Sequence, residues 1–199
     1  EGIEENPHYE TCLRATELCH QFGAKGVLGI GGGSPMDAAK TVAALAANPG
    51  IAVEDLFARN VPNPALPVFA CPTTAGTGSE ANAYAVLTTG HGENTRKAGY
   101  MNKTSGVYSR MISVEALRLV WPGYCKLLAG ELNFEDREQI LFGATLAGIA
   151  IHLTGTCFPH GEGYPLTVNF NIPHGFACGY FLPDFLHFHE TDFASAVET

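Results

Sequence analysis

A strand that turns through three consecutive glycines into a helix constrains this chain more than any other feature. The stretch reads Gly29-Ile30-Gly31-Gly32-Gly33-Ser34-Pro35-Met36-Asp37-Ala38-Ala39-Lys40. Before the turn, Lys25 to Ile30 is short, apolar and closed by glycine, which predicts a buried strand. After it, Ala38, Ala39, Val42, Ala43, Leu45 and Ala46 keep a helical period, which predicts a helix over 34–47. Ser34 stands where it would cap that helix, Pro35 suits the first helical position, and Asp37 follows Ser34 at capping-box spacing. The glycines leave open space in front of the first free N–H groups. Bare amides at the positive end of a helix dipole attract an anion, most plainly the phosphates of a nucleotide. A tight turn that binds nothing is the alternative. The spelling is neither the G-x-G-x-x-G of dinucleotide folds nor a P-loop, which needs Gly-Lys-Ser/Thr at its end.

The rest of the chain extends this pattern. Tyr9 to Phe22 has helical spacing and stops at Gly23; Asn48-Pro49-Gly50 ends the helix after the glycine turn; Val53 to Ala58 reads as a short helix. A proline-dotted loop then leads into a second buried strand, Pro67 to Cys71, and two apolar strands joined by a helix and a long crossover imply parallel pairing. Ligands of such sheets bind at the carboxyl ends of the strands. There the second strand opens into Pro72-Thr73-Thr74-Ala75-Gly76-Thr77-Gly78-Ser79-Glu80, a run of hydroxyls and glycines that reads either as cofactor surface or as plain turn chemistry. A third strand is expected over 83–89, then a polar hairpin-like tip at 90–94. From 103 onward the pattern is helical, over Tyr108 to Val120 and Glu135 to Leu153. The run from Gly155 to Tyr164 breaks it, and Ile172-Pro173-His174-Gly175 starts a further helix. The fold class expected is α/β: a partial Rossmann-like parallel-sheet domain over 1–102, then an all-helical metal and substrate domain over 103–199.

Composition narrows the partners. With 199 residues, 46% of them hydrophobic, the chain can bury a core. A net charge of −9 leaves no basic stripe to displace counterions from a nucleic acid. No apolar run approaches the ~20 residues of a membrane span and the start has no leader-like segment, so a soluble, cytoplasmic protein is expected. The six cysteines form no C-x-x-C pair and read as reduced core residues. His160 and His174 each stand between a proline and a glycine at a helix boundary; spacing alone leaves them as ordinary core or surface histidines or as metal ligands.

The first motif, Gly31 to Lys40, together with the second, Pro72 to Glu80, resembles the iron-containing, or group III, metal-dependent alcohol dehydrogenases. The resemblance implies an oxidoreductase that interconverts a small primary alcohol and its aldehyde with NAD or NADP, and a homodimer. On that reading the amides of Gly32, Gly33 and Ser34 hold the pyrophosphate; Asp37, Thr73, Thr74 and Thr77 line the cofactor; and Lys97 reaches it, though a solvated surface charge reads Lys97 equally well. His160 and His174 match the later pair of ligands to Fe2+ or Zn2+. The family often carries another histidine near the substrate four residues after the first metal histidine. Here that position is Tyr164, which can donate a proton or pack in a core. The aspartate and histidine that the family brings from an earlier helix have no match after Lys97, which suggests residues joined across a missing stretch near Asn102 and Lys103. A polyol dehydrogenase or sugar-phosphate lyase of the same superfamily, or a nucleotide-binding module without catalysis, are the other readings.

Overall fold

A computed structural model describes residues 2–58, 60–89, 96–98 and 106–188 of the chain. The element order is α1 (Tyr9–Phe22), β1 (Val27–Gly31), α2 (Gly33–Ala47), α3 (Val53–Phe57), β2 (Val68–Pro72), a 3-10 turn (Ser79–Ala81), β3 (Leu87–Thr89), β4 (Arg96–Ala98), α4 (Val107–Ala129), α5 (Phe134–Thr154), α6 (Phe158–Phe170), α7 (His174–Tyr180) and α8 (Leu182–Phe188). Contacts divide the chain into two compact units, residues 1–90 with 98–155, and residues 91–97 with 156–199.

In the first unit β1 and β2 pair in parallel, from Val27 opposite Val68 to Gly31 opposite Pro72. Helix α2 packs on one face of this pair: a methyl group added to Gly29 would sit 3.0 Å from the Ala39 side chain and 3.0 Å from the Pro35 carbonyl. The core lies between α1 and α2, where Cys12, Ala38, Val42, Leu45 and Leu87 are buried together. Both strands were expected to be buried. Only the α2 side is covered, and Leu28, Ile30 and Phe69 on the opposite face are more than half exposed. Apolar residues on both faces suit a parallel sheet sandwiched between helices, and here the described residues supply one layer.

Helices α4 and α5 also belong to this unit rather than grouping with the later helices. Gly78, at φ +58°, and Gly148 of α5 meet backbone to backbone, and Thr145 Oγ1 donates to Glu80 Oε1 at 2.6 Å. Helix α4 runs on past Val120 and through Pro122 as far as Ala129, because it lies along α5: Gly123 faces Ile140 and Gly143 faces Val120. Packing of that kind outweighs the local cost of a proline. The expected third strand shrinks to β3, Leu87–Thr89, because residues 79–86 are held by side-chain hydrogen bonds instead of a ladder.

In the second unit the sequence overestimated the break. Only residues 155–157 interrupt the helices, and α6 already starts at Phe158, with Pro159 in its first turn where a missing N–H costs nothing. The following helix is divided at Phe181 into α7 and α8. All six cysteines are free, yet only Cys12 is buried; Cys71, Cys125 and Cys157 are exposed. No single helix among the described residues is long and apolar enough to cross a membrane.

Candidate functional site

The two motifs at the strand ends are brought together within the first unit. Gly31, at φ +141°, turns the chain out of β1 in a conformation that L side chains rarely adopt, and a methyl group there would strike the Pro35 ring at 2.8 Å. The carbonyl of Gly31 accepts from the Thr73 N–H at 2.8 Å, which locks the second loop beside the first. A methyl group added to Gly32 would lie 3.1 Å from Thr74 Oγ1, and one added to Gly33 would lie 3.1 Å from Thr77 Cγ2. Thr73, Thr74 and Thr77 are themselves exposed, so their hydroxyls edge an open surface around the glycines.

Helix α2 begins one residue earlier than the sequence suggests, and Ser34 is not its cap. Gly32 takes the N-cap position with no side-chain hydrogen bond, which puts Gly33 and Ser34 in the first turn and Pro35 at the third helical position rather than the first. Ser34 Oγ instead accepts from the Asn6 N–H at 3.2 Å. An uncapped first turn leaves its N–H groups for an outside acceptor, and this surface fits an anionic diphosphate.

Asp37 forms no capping box either; its carboxylate anchors the second loop from behind. Oδ1 accepts from Ser79 Oγ at 2.6 Å and Oδ2 from the Val86 N–H at 3.0 Å. Lys40, one turn further along α2, donates to Ser79 Oγ at 2.6 Å, to the Tyr84 carbonyl at 2.6 Å and to Asp37 Oδ1 at 3.3 Å. Burial pushes the Lys40 ammonium below the usual lysine range, and the neighbouring Asp37 carboxylate opposes that shift. Sequence reading gives Lys40 no role and places Ser79 only among the hydroxyls of the second motif. The signal was the lysine three residues after Asp37, a spacing that places both on one helix face.

The second unit brings His160, Tyr164 and His174 together with Cys178. His160 and Tyr164 lie four apart on α6, and His174 and Cys178 four apart on α7, so each pair shares a helix face. The helices pack against each other at Gly163, where an added methyl group would lie 3.2 Å from the Cys178 nitrogen. As a result the His160 and His174 rings stand edge to face with centroids 5.2 Å apart, and Tyr164 stacks on His174 at 5.6 Å. One ligand atom from each of His160, His174 and Cys178 lies within 4.8 Å of the others, and all three residues are half-buried. Burial lowers the pKa of His160, which favours the neutral imidazole that ligates a metal. Two imidazoles and a thiol suit a divalent ion of borderline softness. Lys97 lies on β4; its side chain is outside the described residues, as are the tip at 90–94 and the junction at Asn102 and Lys103.

The α6–α7 crossing carries a direct prediction. Gly163→Val should push the two helices apart, lowering stability by about 1–3 kcal/mol in urea unfolding and weakening metal uptake in the same variant. Unchanged stability would show that the crossing tolerates a side chain.

Comparison with known proteins shows the family of the chain. A family model described as iron-containing alcohol dehydrogenase matches residues 1–106, and one for the C-terminal part of that family matches residues 98–198. Sulfoacetaldehyde reductase of Bilophila wadsworthia is 28% identical over 216 residues, covering 89% of this chain and 56% of the reductase. Lactaldehyde reductase of Escherichia coli is 26% identical, covering 94% of this chain and 59% of its own length. Among solved structures, an iron-containing alcohol dehydrogenase of Thermotoga maritima superposes with a TM-score of 0.81 at 33% identity, over 92% of this chain and 60% of that one. The chain thus spans less than two thirds of the length of these relatives. Because 216 aligned positions exceed its 199 residues, the Bilophila reductase carries residues within the aligned region that this chain lacks. Two family models that together run almost end to end, on a fold that superposes as a whole, settle the kinship: the chain belongs to the iron-containing alcohol dehydrogenase family.

Proposed function

We propose that the protein is a metal-dependent NAD(P)(H) oxidoreductase that interconverts a small primary alcohol and its aldehyde. The observation that carries this reading is the convergence of the uncapped first turn of α2 with the exposed threonines of the second loop, Gly32 beside Thr74 and Gly33 beside Thr77. The relatives support the chemistry, among them a butanol dehydrogenase of Clostridium saccharobutylicum described as NADPH-dependent and a sulfoacetaldehyde reductase of Bifidobacterium kashiwanohense solved in complex with NAD+.

On this reading the N–H groups of Gly32, Gly33 and Ser34 bind the diphosphate, and the hydroxyls of Thr73, Thr74 and Thr77 orient the ribose and nicotinamide. Asp37 acts indirectly, holding both loops in register through Ser79, Lys40 and Val86. Lys97 joins the set on the family resemblance alone. His160 and His174 hold the divalent ion. When bound, the dinucleotide supplies the hydride and the ion supplies Lewis acidity toward the alcohol oxygen. Tyr164, stacked on His174, holds a proton at its hydroxyl beside the reacting oxygen.

The test is oxidation of NADH and of NADPH by butanal with the purified chain, loaded in turn with Fe2+ and Zn2+. Turnover that a chelator abolishes and added metal restores is the expected result. Saturable dinucleotide binding without turnover in metal-loaded protein would replace the enzyme by a nucleotide-binding module, and the absence of both would end the reading.

A further inference from the structure

We propose that Cys178 is a third protein ligand of the metal site, so that this chain holds its ion with two imidazoles and a thiolate. The proposal rests on the reading that His160 and His174 bind a divalent ion. It goes beyond it because the sequence pattern singles out the two histidines alone.

Geometry supports the sulfur as a ligand. Around a tetrahedral ion, metal–nitrogen bonds of ~2.0 Å and metal–sulfur bonds of ~2.3 Å put the nitrogen and sulfur roughly 3.5 Å apart. Cys178 Sγ lies 3.5 Å from His174 Nε2 and 3.8 Å from Nδ1, so the sulfur flanks the ring at this edge length, and a turn of the His174 or Cys178 side chain is needed to bring it round to a nitrogen's lone-pair axis. His160 supplies the third donor, with a ligand atom within 4.8 Å of those of His174 and Cys178. The helical frame fixes two of the three donors: His174 and Cys178 stand one turn apart on the same face of α7, the spacing at which helices commonly present paired ligands.

The chemistry points the same way. Three protein ligands with one open position is the arrangement of catalytic zinc sites, and mixed cysteine and histidine sets occur among them. A thiolate is a soft donor and tilts the preference of the site toward Zn2+ or Co2+ relative to an all-nitrogen and oxygen set. Among the described residues no other group of three histidine, cysteine, aspartate or glutamate side chains meets in this way.

Cobalt reports the sulfur directly. Purified full chain titrated with Co2+ should take up one equivalent and develop tetrahedral visible bands together with a near-ultraviolet thiolate-to-cobalt charge-transfer band. In Cys178→Ser the charge-transfer band should vanish and Co2+ affinity should fall by more than about tenfold, since even second-shell changes cost ~10–100-fold. Cys157→Ser should keep the band; its loss in that variant instead would assign the sulfur to Cys157 and overturn the proposal. Far-ultraviolet circular dichroism of each variant checks that the helices persist. Stoichiometric Co2+ without the band, lost on His160→Ala, would leave the histidine reading standing and remove Cys178. Co2+ uptake indifferent to both His160→Ala and His174→Ala would remove the parent reading as well.

Discussion

A His174→Ala chain should lose its bound divalent ion and, with it, at least about a thousandfold of any NAD(P)H-dependent aldehyde reduction. Lewis-acid stabilisation of a developing alkoxide is worth several kcal/mol, and each ~1.4 kcal/mol is a tenfold change in rate. His174 is also the common neighbour of the cluster: its ring meets His160 edge to face, Tyr164 stacked and Cys178 Sγ at 3.5 Å. Removing it therefore subtracts one ligand and the surface that orients the others. The fold should survive, because His174 is only half-buried at the first position of α7 and alanine is a strong helix former. Metal content by mass spectrometry, metal-free thermal unfolding and aldehyde-dependent NADH oxidation separate these effects. A variant that keeps its full complement of metal, or that keeps turnover without it, would show that the ion is held elsewhere.

The sequence makes the glycine turn between β1 and α2 legible and the side-chain wiring behind it illegible, for a physical reason. A glycine run between an apolar strand and a helical period permits few conformations, so the turn at Gly31 to Gly33 could be read without tertiary information. Parallel pairing of β1 with β2 followed from the crossover between them. Ser34 misled because a good capping residue competes with any N–H that tertiary structure brings near, and Asn6, distant in sequence, supplied one. The bond from Asp37 to Ser79 crosses between two motifs, and nothing in either motif by itself encodes it. The proximity of Cys178 to His174 is hidden differently: the cysteines form no C-x-x-C pair, and the spacing that brings these two side chains together is histidine to cysteine across one helical turn. The helical start of α6 was obscured by Pro159, Gly161 and Gly163, which break an isolated helix but are tolerated where the first turn needs no N–H and a neighbour packs against Gly163.

Asp37→Ala should destabilise the sheet-bearing unit strongly, lowering the free energy of unfolding by about 3 kcal/mol. The carboxylate and the Lys40 ammonium are both nearly sheltered, with 14% and 15% of their side-chain surface exposed, so solvent screens their interaction only weakly. Breaking a buried pair by removing one partner costs ~3–5 kcal/mol because the remaining charge is left without compensation. Here the lower end applies, since Lys40 keeps the Ser79 hydroxyl and the Tyr84 carbonyl as acceptors. The same truncation strands the Val86 N–H, which donates to Oδ2 at 3.0 Å. Ser79→Ala removes the hydrogen bond to Asp37 and the acceptor of one from Lys40, and should cost about 2 kcal/mol. Urea unfolding of the two variants against the parent chain measures both numbers. If Asp37→Ala fails to fold, Ser79→Ala still reports on the network through dinucleotide affinity, which should weaken because the second loop loses its side-chain tie to Asp37 and Lys40. A loss below ~1 kcal/mol in Asp37→Ala, or dinucleotide binding unchanged in Ser79→Ala, would mean that the loops carrying Gly32 and Thr74 keep their register without this carboxylate.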